Sequence, residues 1–164
     1  MSHTAVTVRT ATVTRTSGSS IFLNTGYLTT FRGFLKVLET ILGVIVVGIM
    51  GHHLDKHHYF VVGDQFLLLM ATTFMIGTFL LLLSSFLSLT TETMLSKTLF
   101  EVIYHAVAFG LLLASSLNLL IKVTDNRRYS SEYELLLGAS ICGLINCALY
   151  FCSTVIAIRM YRGF

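Results

Sequence analysis

The sequence predicts an all-α membrane protein, an antiparallel bundle of four transmembrane helices. Three observations lead there. Apolar residues make up 54% of the chain and charged ones only 12%, against roughly 25% charged in soluble domains. The mean hydropathy is +0.79, so a chain of 164 residues, one domain in length, has too little polar surface to cover a soluble core. The apolar residues are also gathered into four long runs with short polar connections.

The chain opens on a Ser/Thr-rich segment, residues 1–29, with Thr at 4, 7, 10, 12, 14 and 16 and then Ser17, Ser19 and Ser20. Without an apolar partner face this segment is expected to be a disordered cytosolic tail. It reads either as a phosphorylatable segment or as a plain flexible leader. It lacks the apolar core of a signal peptide, so the first span itself is expected to direct insertion.

Residues 30–162 hold the four spans. They are FRGFLKVLETILGVIVVGIMG (31–51), DQFLLLMATTFMIGTFLLLLSSFLSL (64–89), TLFEVIYHAVAFGLLLASSLNLLI (98–121) and YELLLGASICGLINCALYFCSTVIAI (133–158). Each is near or above the ~20 residues a helix needs to cross the hydrocarbon core. Connections of roughly 9–13 residues force neighbouring helices antiparallel. Arg9, Arg15, Arg32, Lys36, Lys97, Arg159 and Arg162 then share one side, against Lys56, Lys122, Arg127 and Arg128 on the other. The positive-inside rule therefore predicts cytosolic termini.

Charge inside a span is costly and so informative. Lys36 and Glu39 lie three apart on the first span, Glu101 and His105 four apart on the third. Each pair shares a helix face, and Lys36 and Glu39 are spaced to pair. At matched depth these four, with Lys97 near the interface, are expected to form one polar cluster between helices one and three. Two readings stay open for it: a proton or ion relay, or a structural network that fixes helix register. Asn118 and Asn146 are expected to form interhelical amide hydrogen bonds worth about 0.6 kcal/mol each. Small residues, Gly43, Gly48, Gly51, Gly77, Ser84, Gly110, Ala114, Ala139 and Gly143, mark places where backbones approach closely.

The remaining candidates are weighed by geometry. His52, His53, His57 and His58 in GHHLDKHHYF are placed in the first extracytosolic loop. They read as a polar interfacial turn, as a pH-responsive group, or as partial metal ligands, the last opposed by adjacent histidines pointing apart. Cys142, Cys147 and Cys152 are five apart, each turned about 140° from the last, and so do not share a face for a metal. Cys152 reads as a palmitoylation site or as a buried small hydrophobe. No catalytic motif and no cofactor-binding motif is present. A net charge of +3 without a basic run excludes nucleic acid as a partner.

Certain residues carry a family resemblance. RGFLKVLETILGVI, with Arg32, Gly33, Lys36, Glu39 and Gly43, resembles the opening helix of MARVEL-domain proteins. EVIYHAVAFGLLLASSLNLL resembles their third helix, and GLINCALYFCSTVIAIRMYR, with Tyr150 and basic Arg159 and Arg162, their closing one. The similarity spans about residues 30–162 and is nearest to the chemokine-like factor-like MARVEL transmembrane and MAL/plasmolipin groups. It implies a non-enzymatic membrane organiser acting in vesicle trafficking, membrane apposition or junctions, or as a partner of another membrane protein. The lipid bilayer, other integral membrane proteins and self-association are the partners it implies, at the plasma membrane or on vesicle and endosomal membranes. The competing expectation is a small transporter or channel subunit built on the Lys36, Glu39, Glu101 and His105 cluster.

Overall fold

A backbone in hydrocarbon must satisfy its own N–H and C=O groups, which long unbroken helices do. The chain has no proline to interrupt them. The computed structural model describes residues 27, 29–56, 62–87, 94–95, 98–125 and 133–163, and within these it contains four long helices and no strand. They are α1 (Phe31–Lys56), α2 (Val62–Leu87), α3 (Leu99–Asp125) and α4 (Tyr133–Arg162). All four are long and apolar enough to cross a membrane.

The helices run past the apolar boundaries that hydropathy sets. α1 continues beyond Gly51 to Lys56, α3 beyond Ile121 to Asp125, and α4 beyond Ile158 to Arg162. Leaving the helix near the interface would expose unpaired backbone groups where water is scarce, so the ladder continues into polar sequence. Tyr27, ahead of α1, is buried at 1% exposure, and its carbonyl accepts the Thr30 N–H at 3.0 Å.

Packing follows a ring, α1 against α2, α2 against α3, α3 against α4, and α4 back against α1, with α3 and α4 most closely joined. Contacts fix the directions. His53 at the end of α1 meets Asp64 at the start of α2 (3.6 Å), and Glu39 early in α1 meets Ser153 late in α4 (2.5 Å). Neighbours are therefore antiparallel, and α1 and α3 face each other in parallel across the diagonal.

The buried positions set the packing mode. Along α1 they include Lys36, Glu39, Gly43, Val46, Met50 and His53, and along α3 Glu101, His105, Ala108, Leu112, Ser115 and Leu119. Steps alternating between three and four average 3.5 residues, the period of knobs-into-holes packing in left-handed bundles. The outward positions are apolar, among them Ile41, Val44, Ile76, Phe79, Ile103, Val107, Ile145 and Phe151. Lipid solvates that exterior, and the polar side chains collect inside.

Glycines sort into two groups. A Cβ on Gly43 would come within 2.9 Å of the Met75 Cβ, and one on Gly77 would meet the Tyr104 ring. One on Gly143 would strike the Ser116 hydroxyl, and Gly63 is covered by the Lys122 side chain. Gly48, Gly51 and Gly110, small positions that suit either a bundle neighbour or a partner protein, face open space in the single chain. They lie off the 3.5-residue stripe, on the surface of the bundle.

Candidate functional site

The interior polar groups gather at the end of the bundle where α1 and α3 begin. Arg32 and Lys36 are one turn apart on α1, so both project to one face. Each takes one oxygen of Glu101: Arg32 Nη2 donates to Oε2 at 2.8 Å and Lys36 Nζ to Oε1 at 2.5 Å. Lys36 and Glu101 are buried to 3% and 2% exposure. Lys36 was spaced to pair with Glu39 but reaches across the diagonal to Glu101. A long, flexible side chain gains more from that geometry than from its neighbour on its own helix.

Glu39 has other company. Its Oε1 accepts the Ser153 hydroxyl of α4, while its Oε2 lies 4.0 Å from His105 Nε2 of α3. His105 Nδ1 donates to the Glu101 carbonyl at 2.7 Å; a carbonyl can only accept, so the tautomer is fixed with Nδ1 protonated. Glu39 and His105 are 0% and 1% exposed, and Glu39 Oε2 and His105 Nε2 have no hydrogen-bond partner. Beside them opens a cavity of about 10 Å³ lined by Arg32, Lys36, Glu101, His105 and Ser153. That is close to the volume of a single water site.

A layer of hydroxyls closes the cluster on its inner side. Thr78 Oγ1 of α2 lies 2.6 Å from Tyr150 Oη of α4 and 3.0 Å from Tyr104 Oη of α3. Both tyrosines also donate to the Phe74 carbonyl, at 2.9 and 3.1 Å. The Phe74 ring meets each tyrosine ring edge-on, at 6.0 and 6.2 Å. Three helices are thus tied at one depth. Three hydroxyl protons serve these four contacts, so replacing Thr78 by valine keeps the shape and removes one hydrogen bond, the one its own proton makes. A loss of about 0.6 kcal/mol, the average for one such bond in membrane, is expected, measurable by thermal unfolding in detergent.

Deeper still, Val46, Met50, Leu67, Leu112, Leu119 and Leu136 form an apolar core, each at most 1% exposed. Beyond it lies the second polar locus, His53 with Asp64.

Several expected site residues sit elsewhere than the sequence suggests. His52 and His53 belong to the last turns of α1, not to a loop: His52 is exposed and His53 is buried against Asp64. His57, His58 and Lys97 lie outside the described residues. Among the described residues no three His, Cys, Asp or Glu side chains come together as metal ligands. Asn146 is 3% exposed with its Oδ1 unpartnered, whereas Asn118 is half-buried. Cys147 is buried against the Phe109 carbonyl, and Cys152 is exposed on the outer face of α4 rather than buried.

Arg32, Tyr104, Ser153 and Thr78 complete the cluster and carried no site signal of their own. Their signal in the sequence is the 3.5-residue spacing that places Thr78 in line with Ala71 and Phe74. Ser153 likewise lies in line with Asn146 and Tyr150.

Comparison with known proteins gives one match. A family model described as a membrane-associating domain, MARVEL, matches residues 27–156. Neither the curated proteins nor the solved structures compared with the chain gave a match.

Proposed function

The chain belongs to the MARVEL family of membrane-associating domains, and from that premise we propose that it is a non-enzymatic organiser acting within the membrane plane. It works by lateral contact with lipids, with other integral membrane proteins, or with a second copy of itself. The membrane sites are those of vesicle trafficking, membrane apposition or junctions. The observation that supports this reading is the distribution of polarity. Charged side chains are spent on one another inside the bundle, and all four helices turn apolar residues outward. A chain built this way has its lateral helix surfaces to offer. On α3 the exposed Ala106, Gly110 and Ala114 follow one another at steps of four, a spacing at which another helix can approach closely.

A transporter built on the polar cluster fits the interior less well. An ion crossing one copy would have to pass Val46, Met50, Leu67 and Leu112, all at most 1% exposed. The excess of Lys and Arg at the end of the bundle that holds Arg32, Arg159 and Arg162 supports cytosolic termini. Cys152, exposed on α4, supports S-acylation at that surface.

Affinity capture of the full chain in native lipid, with chemical cross-linking and mass spectrometry, tests the reading. A defined membrane protein or a second copy should be recovered in near-integral ratio. A particle that stays monomeric and partnerless in native lipid refutes it.

A further inference from the structure

The Glu39–His105 contact has a deficit that hydrogen-bond counting exposes. His105 spends its Nδ1 proton on the Glu101 carbonyl, so in the neutral ring Nε2 carries a lone pair. Facing it at 4.0 Å is Glu39 Oε2, which in the carboxylate is also an acceptor. Two buried acceptors then face each other with no protein donor between them, and a buried polar atom left unpaired costs about 1–3 kcal/mol. One proton removes the conflict. On Oε2 it makes a carboxylic acid, and on Nε2 an imidazolium; either supplies the donor for a hydrogen bond once the two side chains close the 4.0 Å gap by about 1 Å.

We propose that Glu39 and His105 together bind one exchangeable proton inside the bundle, taken from the side of the membrane at which α1 and α3 begin. The surroundings agree with a one-sided site. The small cavity reaches His105 from Arg32, whose side chain is 15% exposed. On the other side, the Thr78, Tyr104 and Tyr150 hydroxyls and then the apolar core close the way.

Every charged neighbour enters the balance. α1 supplies Arg32 and Lys36; α3 supplies Glu101 and the Tyr104 hydroxyl; α4 supplies Tyr150 and Ser153. The charged residue of α2, Asp64, lies at the opposite end beside His53. Arg32 and Lys36 carry two positive charges against one on Glu101. The cluster is therefore neutral when the pair is deprotonated and singly positive when the proton is bound. The surplus charge rests beside part-exposed Arg32, where water can solvate it. Binding the proton thus changes the charge at which three helices meet, and gives the bundle a sensitivity to pH on one face.

The sign of the pH effect follows from linkage. In the unfolded chain both groups are deprotonated above the ordinary histidine range near pH ~6.5. A proton bound by the folded pair and not by the unfolded chain is released as pH rises, and the stability it contributes goes with it. Glu39→Gln supplies a permanent N–H donor toward Nε2 while its carbonyl still accepts from Ser153, so this slope should vanish.

The test uses the full chain in lipid nanodiscs at neutral pH. Infrared difference spectra against Glu39→Gln read the carboxyl, and nitrogen-15 NMR reads the His105 ring. One protonated partner is expected, either a carboxylic acid band with neutral imidazole or an imidazolium with a carboxylate. An ionised Glu39 beside a neutral His105 overturns the proposal, as does protonation of both at once. Should Glu39→Gln fail to insert, the carbon-13 shift of the Glu39 carboxyl in the unaltered chain gives the same reading. In detergent at pH above about 6.5, the Tm of the unaltered chain should drop with rising pH while that of Glu39→Gln stays level. Parallel curves overturn the exchangeable proton.

Discussion

Replacing Glu101 by alanine is expected to cost the bundle about 3–5 kcal/mol, the range for breaking a buried ion pair by removing one partner. Glu101 is the shared acceptor of Arg32 and Lys36. Without it, the Lys36 ammonium stays at 3% exposure and loses the carboxylate it is hydrogen-bonded to. Glu39, one turn along on the same helix, is already engaged by Ser153. The Glu101 carboxylate also holds α3 against α1 across the diagonal, beside the Glu39–His105 contact. Loss of the folded fraction in detergent, or a large fall in Tm, is the measurement. The control is the double replacement Lys36→Met with Glu101→Leu. It removes both charges and fills the space with apolar atoms, a change that is often neutral or stabilising. Recovery of most of the lost stability is expected. If the double variant is as unstable as Glu101→Ala, the cost lies in shape and not in the orphaned charge.

Gly43→Leu should separate α1 from α2. The Met75 Cβ stands 2.9 Å from where a side chain at residue 43 would begin, with Met75 Cα at 3.6 Å. A Cβ cannot rotate away, so the two backbones must move apart. Overpacking of this kind costs about 1–3 kcal/mol and occasionally more; leucine belongs at the upper end and alanine at the lower. Second-site changes discriminate the cause. Met75→Ala leaves the offending Cβ in place and should rescue poorly, whereas Met75→Gly should restore much of the stability of Gly43→Ala. Thermal unfolding of the four variants in one detergent decides it. Equal rescue by both would place the strain elsewhere.

The four spans were legible because hydropathy is a local property, and a segment that apolar has one comfortable solvent. Their ends were less so. His52 and His53 looked like loop residues because polarity rises at residue 52. The cost of unpaired backbone groups near the interface carries α1 on to Lys56 instead. Likewise Lys36, Glu39, Glu101 and His105 stood out as charges among apolar neighbours, which requires no knowledge of the fold. Their pairing was not legible. Helical spacing favoured Lys36 with Glu39, but the partner that the bundle supplies is Glu101.

The hydroxyl layer shows why. Thr78, Tyr104 and Tyr150 are ordinary residues for their helices, and each is silent alone. They become one unit when the register of α2, α3 and α4 brings the three hydroxyls within hydrogen-bond distance. Gly43 and Gly48 carry the same small-residue signal: five residues apart on one helix, one is packed against Met75 and the other faces open space.

By itself the sequence determined the solvent, the number of crossings and which residues carry charge into the membrane, since these depend on composition and on order along one chain. Tertiary structure alone decided which charges share a proton or an oxygen, which glycines are contacts, and which face of each helix meets lipid. Those depend on the rotation and axial register of four helices relative to one another. A side chain's partner there is set by distances across the bundle that no spacing within one helix encodes.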